Sequence, residues 1–224
     1  MKGGGSVVSK VGRKPAIRVG IMGGTFDPIH YGHLLVAEEC RRSLNIDRIV
    51  FIPTGSPPHK RDCAVTPAED RYAMTLLATA GVQEFSVSRT EIDRAEPTHT
   101  IDTLREFLAE GIAPENLFFI TGLDAILSIT TWWDYEQLPA LCTLVTATRP
   151  GYDLKGVGEL PEEIRENLKV VEIPQFAISS TEIRQRARSG RGIRFLVPHL
   201  VETYIESTGL YRDKEGTGME VLRH

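Results

Sequence analysis

Runs of apolar residues recur along the chain and predict strands that are buried on both faces. Five such runs are "IRVGIM", "RIVFI", "LFFIT", "TLVTA" and Lys169–Ile173, and a sixth segment, Phe85–Ser88, alternates apolar and polar residues. A continuous apolar strand is typical of a parallel sheet covered on both sides, whereas a half-exposed strand alternates. The pattern therefore predicts a sheet of six strands.

Segments with helical periodicity separate these strands. They are Gly32–Ser43, Thr66–Gly81, Ile101–Glu110, "DAILSI", Pro161–Asn167, Thr181–Ser189 and Pro198–Ser207. Alternation of strand and helix is the signature of an α/β fold. We expect one Rossmann-like, doubly wound parallel sheet with helices on both faces. Ligands of such sheets bind beyond the carboxyl ends of the strands, near the point where the strand order reverses.

The 224 residues are enough for one domain, and no repeat or linker divides them. We expect a flexible extension over 1–15, one domain over 16–211 and a tail over 212–224. The formal net charge of −4 argues against general nucleic-acid binding, which needs a basic face. No apolar run approaches the roughly 20 residues of a membrane span, so no membrane partner is expected. The pattern leaves a homo-oligomer open.

The three cysteines, Cys40, Cys63 and Cys142, are odd in number and widely spaced, with no C-x-x-C pair. This usage favours reduced thiols over disulfides or a zinc site. The start of the chain has basic residues but no apolar core like that of a secretion signal. We therefore expect a cytoplasmic protein.

The stretch "GGTFDPIHYGH" joins the first predicted strand to the first helix. Gly23 and Gly24 allow the backbone to approach a ligand, and the following amides, through Thr25 and Phe26, can point at one anion. His30 and His33 are three residues apart and share one helix face, beside the positive end of the helix dipole. The glycine spacing fits neither a dinucleotide fingerprint nor a Walker loop. A phosphate site is predicted; a zinc site is the weaker alternative, since no third ligand lies nearby.

A second cluster of hydroxyl and basic groups lies in "FAISSTEIRQR". Ser179 and Glu182 have capping-box spacing, and Ser180 and Thr181 add hydroxyls at the same helix start. Arg184 lies on the face of Thr181, where its guanidinium can bind phosphate oxygens. By itself this segment is also consistent with an ordinary capped helix. Paired with the first stretch, it predicts a second phosphate-binding element.

These separated motifs together resemble the nucleotidyltransferases with a glycine-rich turn and a paired-histidine phosphate motif, and among them the bacterial nicotinate-nucleotide adenylyltransferases. The resemblance extends from about Ile17 to Tyr211. It implies adenylyl transfer from ATP to nicotinate mononucleotide, giving deamido-NAD and pyrophosphate. It assigns His30 and His33 to charge neutralisation at the α-phosphate, and "ISSTEIR" to the ATP phosphates. Mg²⁺ would be carried by the ATP phosphates rather than by a protein cage.

The resemblance also assigns residues whose alternative is structural. Lys60, in "PTGSPPHKRD", would approach the substrate phosphates, although such charge runs are often only solvated. Gly122 and Asp124 would face the adenosine part, unless Asp124 is a plain helix cap. Arg149, after a strand, would bind a phosphate or carboxylate.

The pyridine end of the substrate would be met by Thr98, Thr100 and Trp132. Thr98 or Thr100 is alternatively a helix cap. His99 stands where the family pattern has tyrosine, which is a departure in the base pocket. Of the two adjacent tryptophans, the resemblance implies that Trp132 stacks on the pyridine ring, while Trp133 is expected to pack in the protein.

Other functions remain open on the sequence. A sister enzyme would act on nicotinamide mononucleotide or pantetheine phosphate, with the nicotinate preference resting on resemblance alone. A non-catalytic nucleotide sensor would keep the fold, but the intact His30, His33 and Arg184 favour an enzyme over a sensor.

Overall fold

A computed structural model of the chain describes residues 16–55, 65–95, 98–148, 155–174 and 177–212. The six predicted strands form one sheet in which each described strand pair is parallel, in the order β3-β2-β1-β4-β5-β6. The strands are β1 (Val19–Gly24), β2 (Arg48–Pro53), β3 (Phe85–Val87), β4 (Leu117–Thr121), β5 (Thr143–Thr148) and β6 (Lys169–Glu172). The predicted fold class is confirmed.

Helices lie in the connections between the strands and follow the last strand. They are α1 (Tyr31–Ser43), α2 (Ala68–Thr79), α3 (Thr100–Ala109), α4 (Leu123–Leu127), α5 (Leu138–Leu141), α6 (Glu162–Asn167), α7 (Ser180–Arg188) and α8 (His199–Thr208). Short 3-10 turns lie at Pro114–Asn116, Ile129–Thr131, Tyr135–Gln137 and Lys155–Glu159. Every helix within the described ranges is too short or too polar to cross a bilayer. Residues 1–15 and 213–224 lie outside the description, so the expected domain bounds stay a prediction.

Two hydrophobic cores lie on opposite faces of the sheet because successive strand residues point to opposite sides. In β2, Ile49 and Phe51 pack with α1, α2, α7 and α8, whereas Val50 and Ile52 pack with α3, α4, α5 and α6. The inner strands are apolar on both faces for this reason. The cysteines Cys40 and Cys142 are buried and free, one in each core.

The strand order reverses at β1, and this reversal locates the site. The chain runs outward from β1 through β2 to β3 and then returns to the other side of β1 as β4. The connections that follow β1 and β4 therefore leave the same edge of the sheet in opposite directions and open a crevice between them. The residues after Gly24 and after Thr121 border that crevice.

A buried arginine ties together three loop segments at this edge of the sheet. Arg71, on α2, is 1% exposed. Its guanidinium donates to the carbonyls of Thr25, Gly55 and Thr66, each at 2.9 Å. Thr25 follows β1, while Gly55 and Thr66 lie on either side of the segment 56–64. The planar fork of arginine can reach three directions at once, which an ammonium group cannot do equally well.

We expect Arg71→Met to lower the free energy of unfolding by about 3–5 kcal/mol, because the buried guanidinium is lost and three partly buried carbonyls lose their donor. Arg105→Met makes the same chemical change on the exposed face of α3 and should cost less than about 1 kcal/mol. Urea unfolding followed by circular dichroism measures both. Equal midpoints for the two variants would show that the carbonyl contacts of Arg71 contribute little.

Candidate active site

The turn between β1 and α1 is the centre of the candidate site. Strand β1 continues through both glycines, so the turn begins at Thr25, later than the sequence pattern indicates. Phe26 has a φ of 49°, in the left-handed region that non-glycine residues rarely adopt. Its ring is buried in the core, at 2% exposure. The buried ring and the surrounding contacts hold the strained backbone in place.

The two glycines at the end of β1 have different surroundings. A Cβ at Gly24 would lie 2.8 Å from the Phe26 ring, so any side chain there would displace the turn. A Cβ at Gly23 would meet only the Phe119 ring, at an ordinary 3.5 Å. Packing therefore tolerates a methyl group at Gly23. Because Gly23 lines a cavity, the absent side chain there leaves room for a ligand rather than for the protein.

His30 and His33 lie together at the start of α1, as the spacing predicts. Their rings stack with centroids 3.8 Å apart and planes at 25°. Nδ1 of His33 accepts from the backbone N–H of His30 at 3.2 Å, so the proton of a neutral His33 ring lies on Nε2. Gly32 is needed here, since a Cβ on it would come within 2.9 Å of the His30 ring. Nδ1 of His30 is buried and has no hydrogen-bond partner among the described residues.

Burial determines the charge state of this histidine pair. Burial lowers the pKa of His30 to about 4. Burial, and then the neighbouring His30, hold the pKa of His33 well below its usual range. The two imidazoles are therefore neutral near pH 7 and can act as hydrogen-bonding groups.

The second predicted motif packs directly on this turn. The Ser180 hydroxyl donates to the Pro28 carbonyl at 2.9 Å, and Arg184 donates to the Asp27 carbonyl at 2.7 Å. Arg184 also donates to the Thr181 hydroxyl at 3.3 Å. Residues about 150 positions apart in the sequence therefore form one structural unit.

The start of α7 has only part of the predicted capping box. Ser179 is the N-cap, and its hydroxyl accepts from the backbone N–H of Glu182 at 3.2 Å. The reciprocal bond is replaced, because the Glu182 carboxylate pairs with Arg186. Helix α7 actually begins at Ser180, one residue earlier than expected.

A cavity of about 1000 Å³ opens at the crevice between β1 and β4. Its wall includes these predicted binding residues: Gly23, Gly24, Thr25, Thr98, Thr100, Asp124 and Trp132. Within the described ranges, the wall does not include Phe26, Gly122, the histidine pair or α7. The turn links the two groups, since Thr25 lines the cavity, whereas Asp27 and Pro28 of the same turn bind α7 and lead into His30.

The side chains at the start of α3 are arranged differently from the capping alternative. The N-cap is His99, not Thr98 or Thr100. Thr98 is 7% exposed and its hydroxyl donates to the Glu91 carboxylate at 3.3 Å. Thr100 is the first residue of the helix and lines the cavity. Similarly, Gly122 rather than Asp124 is the N-cap of α4, so Asp124 is not needed as a cap.

The two tryptophans have different environments, and one expectation is wrong. Trp132 is partly buried and meets the Phe119 ring edge-on, with centroids 6.0 Å apart. Trp133 does not pack in the core: it is 65% exposed and stacks on His99, with centroids 5.7 Å apart. Both indoles and His99 line the cavity. Lys60 and Arg149 lie outside the described residues, so their assignments stay predictions.

Comparison with known proteins assigns the chain to a family. Residues 21–186 match the cytidylyltransferase-like family model. A probable nicotinate-nucleotide adenylyltransferase of Moorella thermoacetica is 51% identical over 201 residues, covering 88% of this chain and 93% of that protein. One from Thermus thermophilus is 50% identical over 199 residues, covering 88% of this chain and all of its own length. The chain belongs to the nicotinate-nucleotide adenylyltransferase family.

A solved structure supports the fold of this family member. Plasmodium falciparum nicotinic acid mononucleotide adenylyltransferase complexed with NaAD superposes with a TM-score of 0.66 and 22% identity, covering 87% of this chain and 97% of that one. At this identity the match concerns the arrangement of strands and helices.

The sequence pattern does not predict several residues that support this adenylyltransferase site. The Asp27 carboxylate accepts from the Tyr211 hydroxyl at 2.7 Å and from the Thr66 backbone N–H at 3.4 Å. Tyr211 thus attaches the end of the described chain to the turn. Arg71 leaves one signal in the sequence: it shares a helix face with Met74 and Ala78, where a lone charge indicates a buried arginine with partners. The partners of Asp27 have no such signal.

In the part of the family member that the structure describes, no three His, Cys, Asp or Glu side chains converge to hold a metal ion. The Asp27 carboxylate, which lies nearest the histidine pair along the turn, is bound to Tyr211 and Thr66.

We expect the stability of this adenylyltransferase to fall as the pH is lowered from about 6.5 to about 4, because His30 takes up a proton in the unfolded chain before it does in the folded one. A lowered folded-state pKa means that the unfolded state binds more protons throughout this window. Urea unfolding at several pH values measures the loss. His30→Asn should flatten this part of the profile, and an unchanged slope in that variant would contradict the assignment.

Proposed function

We propose that the protein transfers the adenylyl group of ATP to nicotinate mononucleotide, giving nicotinate adenine dinucleotide and pyrophosphate, a step of NAD biosynthesis. The curated relatives that cover nearly the whole chain carry this activity in their names. The observation that carries the proposal is the joining of two motifs. Ser180 and Arg184 of α7 bind the turn that leads into the histidine pair, and the same turn lines the cavity.

The reaction needs positioning more than acid–base chemistry. A phosphate oxygen of the mononucleotide attacks the α-phosphorus of ATP, and the bond from that phosphorus to the bridging oxygen of the β-phosphate breaks. The nucleophile is already ionised, so no general base is required. Catalysis then consists of holding the two phosphates in line and stabilising the charge of the transition state.

The histidine pair supplies donors for that charge. In the neutral ring of His33 the Nε2–H is the donor, since Nδ1 accepts from the His30 backbone. Neutral, pre-oriented donors in a desolvated site stabilise developing negative charge without reorganisation. The amides of Gly23 to Phe26 and the positive end of the α1 dipole add to them. Lys60 would contribute a positive charge from the segment between β2 and α2.

Helix α7 is assigned to the leaving pyrophosphate. Arg184 uses only part of its guanidinium on Asp27 and Thr181, so further N–H groups remain for phosphate oxygens. Ser179, Ser180 and Thr181 surround the same helix start. Substrate binding would exchange some of the bonds to the turn for bonds to phosphate.

The other end of the cavity is assigned to the mononucleotide. Thr98 and Thr100 would meet the pyridine substituent, Trp132 would stack on the ring, and Arg149 would bind a phosphate or carboxylate. Gly122 and Asp124 would face the adenosine.

We propose that ATP enters as its Mg²⁺ complex, in which the metal neutralises phosphate charge and keeps water ligands. Both substrates are metabolites of the cytoplasm, where we place the protein.

The deciding experiment measures pyrophosphate release from ATP and Mg²⁺ with nicotinate mononucleotide, nicotinamide mononucleotide or pantetheine phosphate, and identifies the products by mass. We expect nicotinate adenine dinucleotide to form fastest. A higher kcat/KM for the amide would replace the substrate while keeping the reaction. Binding of ATP without any product would identify a nucleotide sensor instead.

We expect His33→Ala to lower kcat by about 100-fold, the usual loss when one donor to transition-state charge is removed. His199→Ala is the matched control, because His199 lies on α8 with an 81% exposed side chain. Steady-state rates at saturating ATP and mononucleotide compare the two. Full turnover in His33→Ala would remove this histidine from the mechanism.

The adjacent tryptophans provide a second matched pair. We expect Trp132→Leu to raise the KM of the mononucleotide by about tenfold with little change in the KM of ATP, because an aromatic stack and its buried area are lost. Trp133→Leu should change the same KM by less than about threefold, since its exposed ring stacks on His99. If Trp133→Leu has the larger effect, Trp133 is the residue that stacks on the pyridine.

A further inference from the structure

Glu91 lies in the cavity wall near the start of α3. It lines the cavity together with Thr98, Thr100 and Trp132. Its backbone is tightly packed, since a Cβ at Gly55 would fall 2.1 Å from the Glu91 carbonyl oxygen. The loop that carries this carboxylate therefore has little room to move away from the cavity.

Two threonine hydroxyls bind the Glu91 carboxylate from α3 and the residues before it. Thr103 donates to one oxygen at 3.0 Å, and Thr98 donates to the other at 3.3 Å. Burial raises the pKa of Glu91, while the two hydroxyls and the charge of Arg94 act in the opposite direction. Arg94 itself is bound to Glu106 on α3. An acceptor of two donated protons is the expected behaviour of an ionised carboxylate.

The position of the Thr98 proton decides what this residue can offer a ligand. A hydroxyl has one proton to donate and two lone pairs to accept with. When the proton points to Glu91, only lone pairs of Thr98 remain for the cavity. A carboxylate substituent has no proton for them, whereas a carboxamide has two N–H groups. The negative charge of Glu91 also repels a carboxylate, whereas an amide has no net charge and is not repelled.

We propose that Glu91 is a specificity-determining residue that, through Thr98, lowers the preference of the pyridine pocket for an acid over an amide. The inference rests on the proposed function, because it assigns this end of the cavity to the pyridine substituent. It adds a second substrate class: the wild-type protein uses nicotinamide mononucleotide at a measurable rate.

The experiment compares kcat/KM for nicotinate and nicotinamide mononucleotide at fixed ATP and Mg²⁺. Glu91→Gln should raise the acid-to-amide ratio by about tenfold, because it removes the negative charge and provides an N–H donor in its place. Glu106→Gln is the control. It neutralises a carboxylate on α3 that does not line the cavity and should leave the ratio within about twofold.

Thr98→Val tests the hydroxyl itself and decides the question if Glu91→Gln does not fold. This nearly isosteric change should lower kcat/KM for the amide about tenfold more than kcat/KM for the acid, since only the amide loses a hydrogen-bond partner. Thermal unfolding confirms that each variant is folded.

The failures of the two proposals can be distinguished. A wild-type protein that forms no dinucleotide from either mononucleotide would overturn the proposed function and this inference with it. With an active wild type, an unchanged or lower ratio in folded Glu91→Gln would overturn only the inference. So would a Thr98→Val loss confined to the acid, since it would show that Thr98 donates to the carboxylate.

Discussion

The turn from Thr25 to Ile29 has an unfavourable backbone, and contacts from three separate parts of the chain hold it. Arg71 binds the carbonyl of Thr25, and Tyr211 binds the carboxylate of Asp27. Arg184 and Ser180 bind the carbonyls of Asp27 and Pro28. Within this turn, Phe26 has a positive φ. Such a backbone conformation costs on the order of 1–3 kcal/mol and persists only when the surrounding contacts fix it. The site depends on this constraint, because the turn borders the cavity, leads into the histidine pair and binds α7 through two of its carbonyls.

Burial of this region has a chemical consequence as well as a mechanical one. Desolvation keeps both imidazoles neutral, so an unliganded site does not contain two adjacent like charges. In the proposed reaction, the same desolvation would strengthen each hydrogen bond from these rings to a substrate phosphate, because little water competes for it. A pair of exposed imidazolium groups would bind an anion through charge but would orient it poorly. Stacked, buried and neutral rings point their N–H groups in a fixed direction instead.

The sequence predicts the architecture well because each inner strand is apolar on both faces and each helix has a clear start. It also predicts Ser179 as a cap and the placement of His30 and His33 on one helix face, since both follow from local spacing. It places the end of β1 too early, because glycines are read as turn residues although here they complete a strand. The partners of Arg71 and the exposure of Trp133 depend on contacts between distant segments. No local pattern encodes such contacts, so these features had to be seen in the structure.

The two ends of the cavity are constructed in different ways, and this difference separates chemistry from selectivity. At the end next to the turn, the wall consists of Gly23, Gly24 and Thr25, and the turn that begins there is fixed by contacts from α2 and α7. At the opposite end, side chains on loops and on the start of α3 line the wall, including Glu91, His99 and Trp133. His99 and Trp133 stack on each other and not on the core, so they can change without disturbing the sheet. In the proposed reaction, a shared adenylyl-transfer step can therefore serve different pyridine substituents through changes of a few side chains at one end.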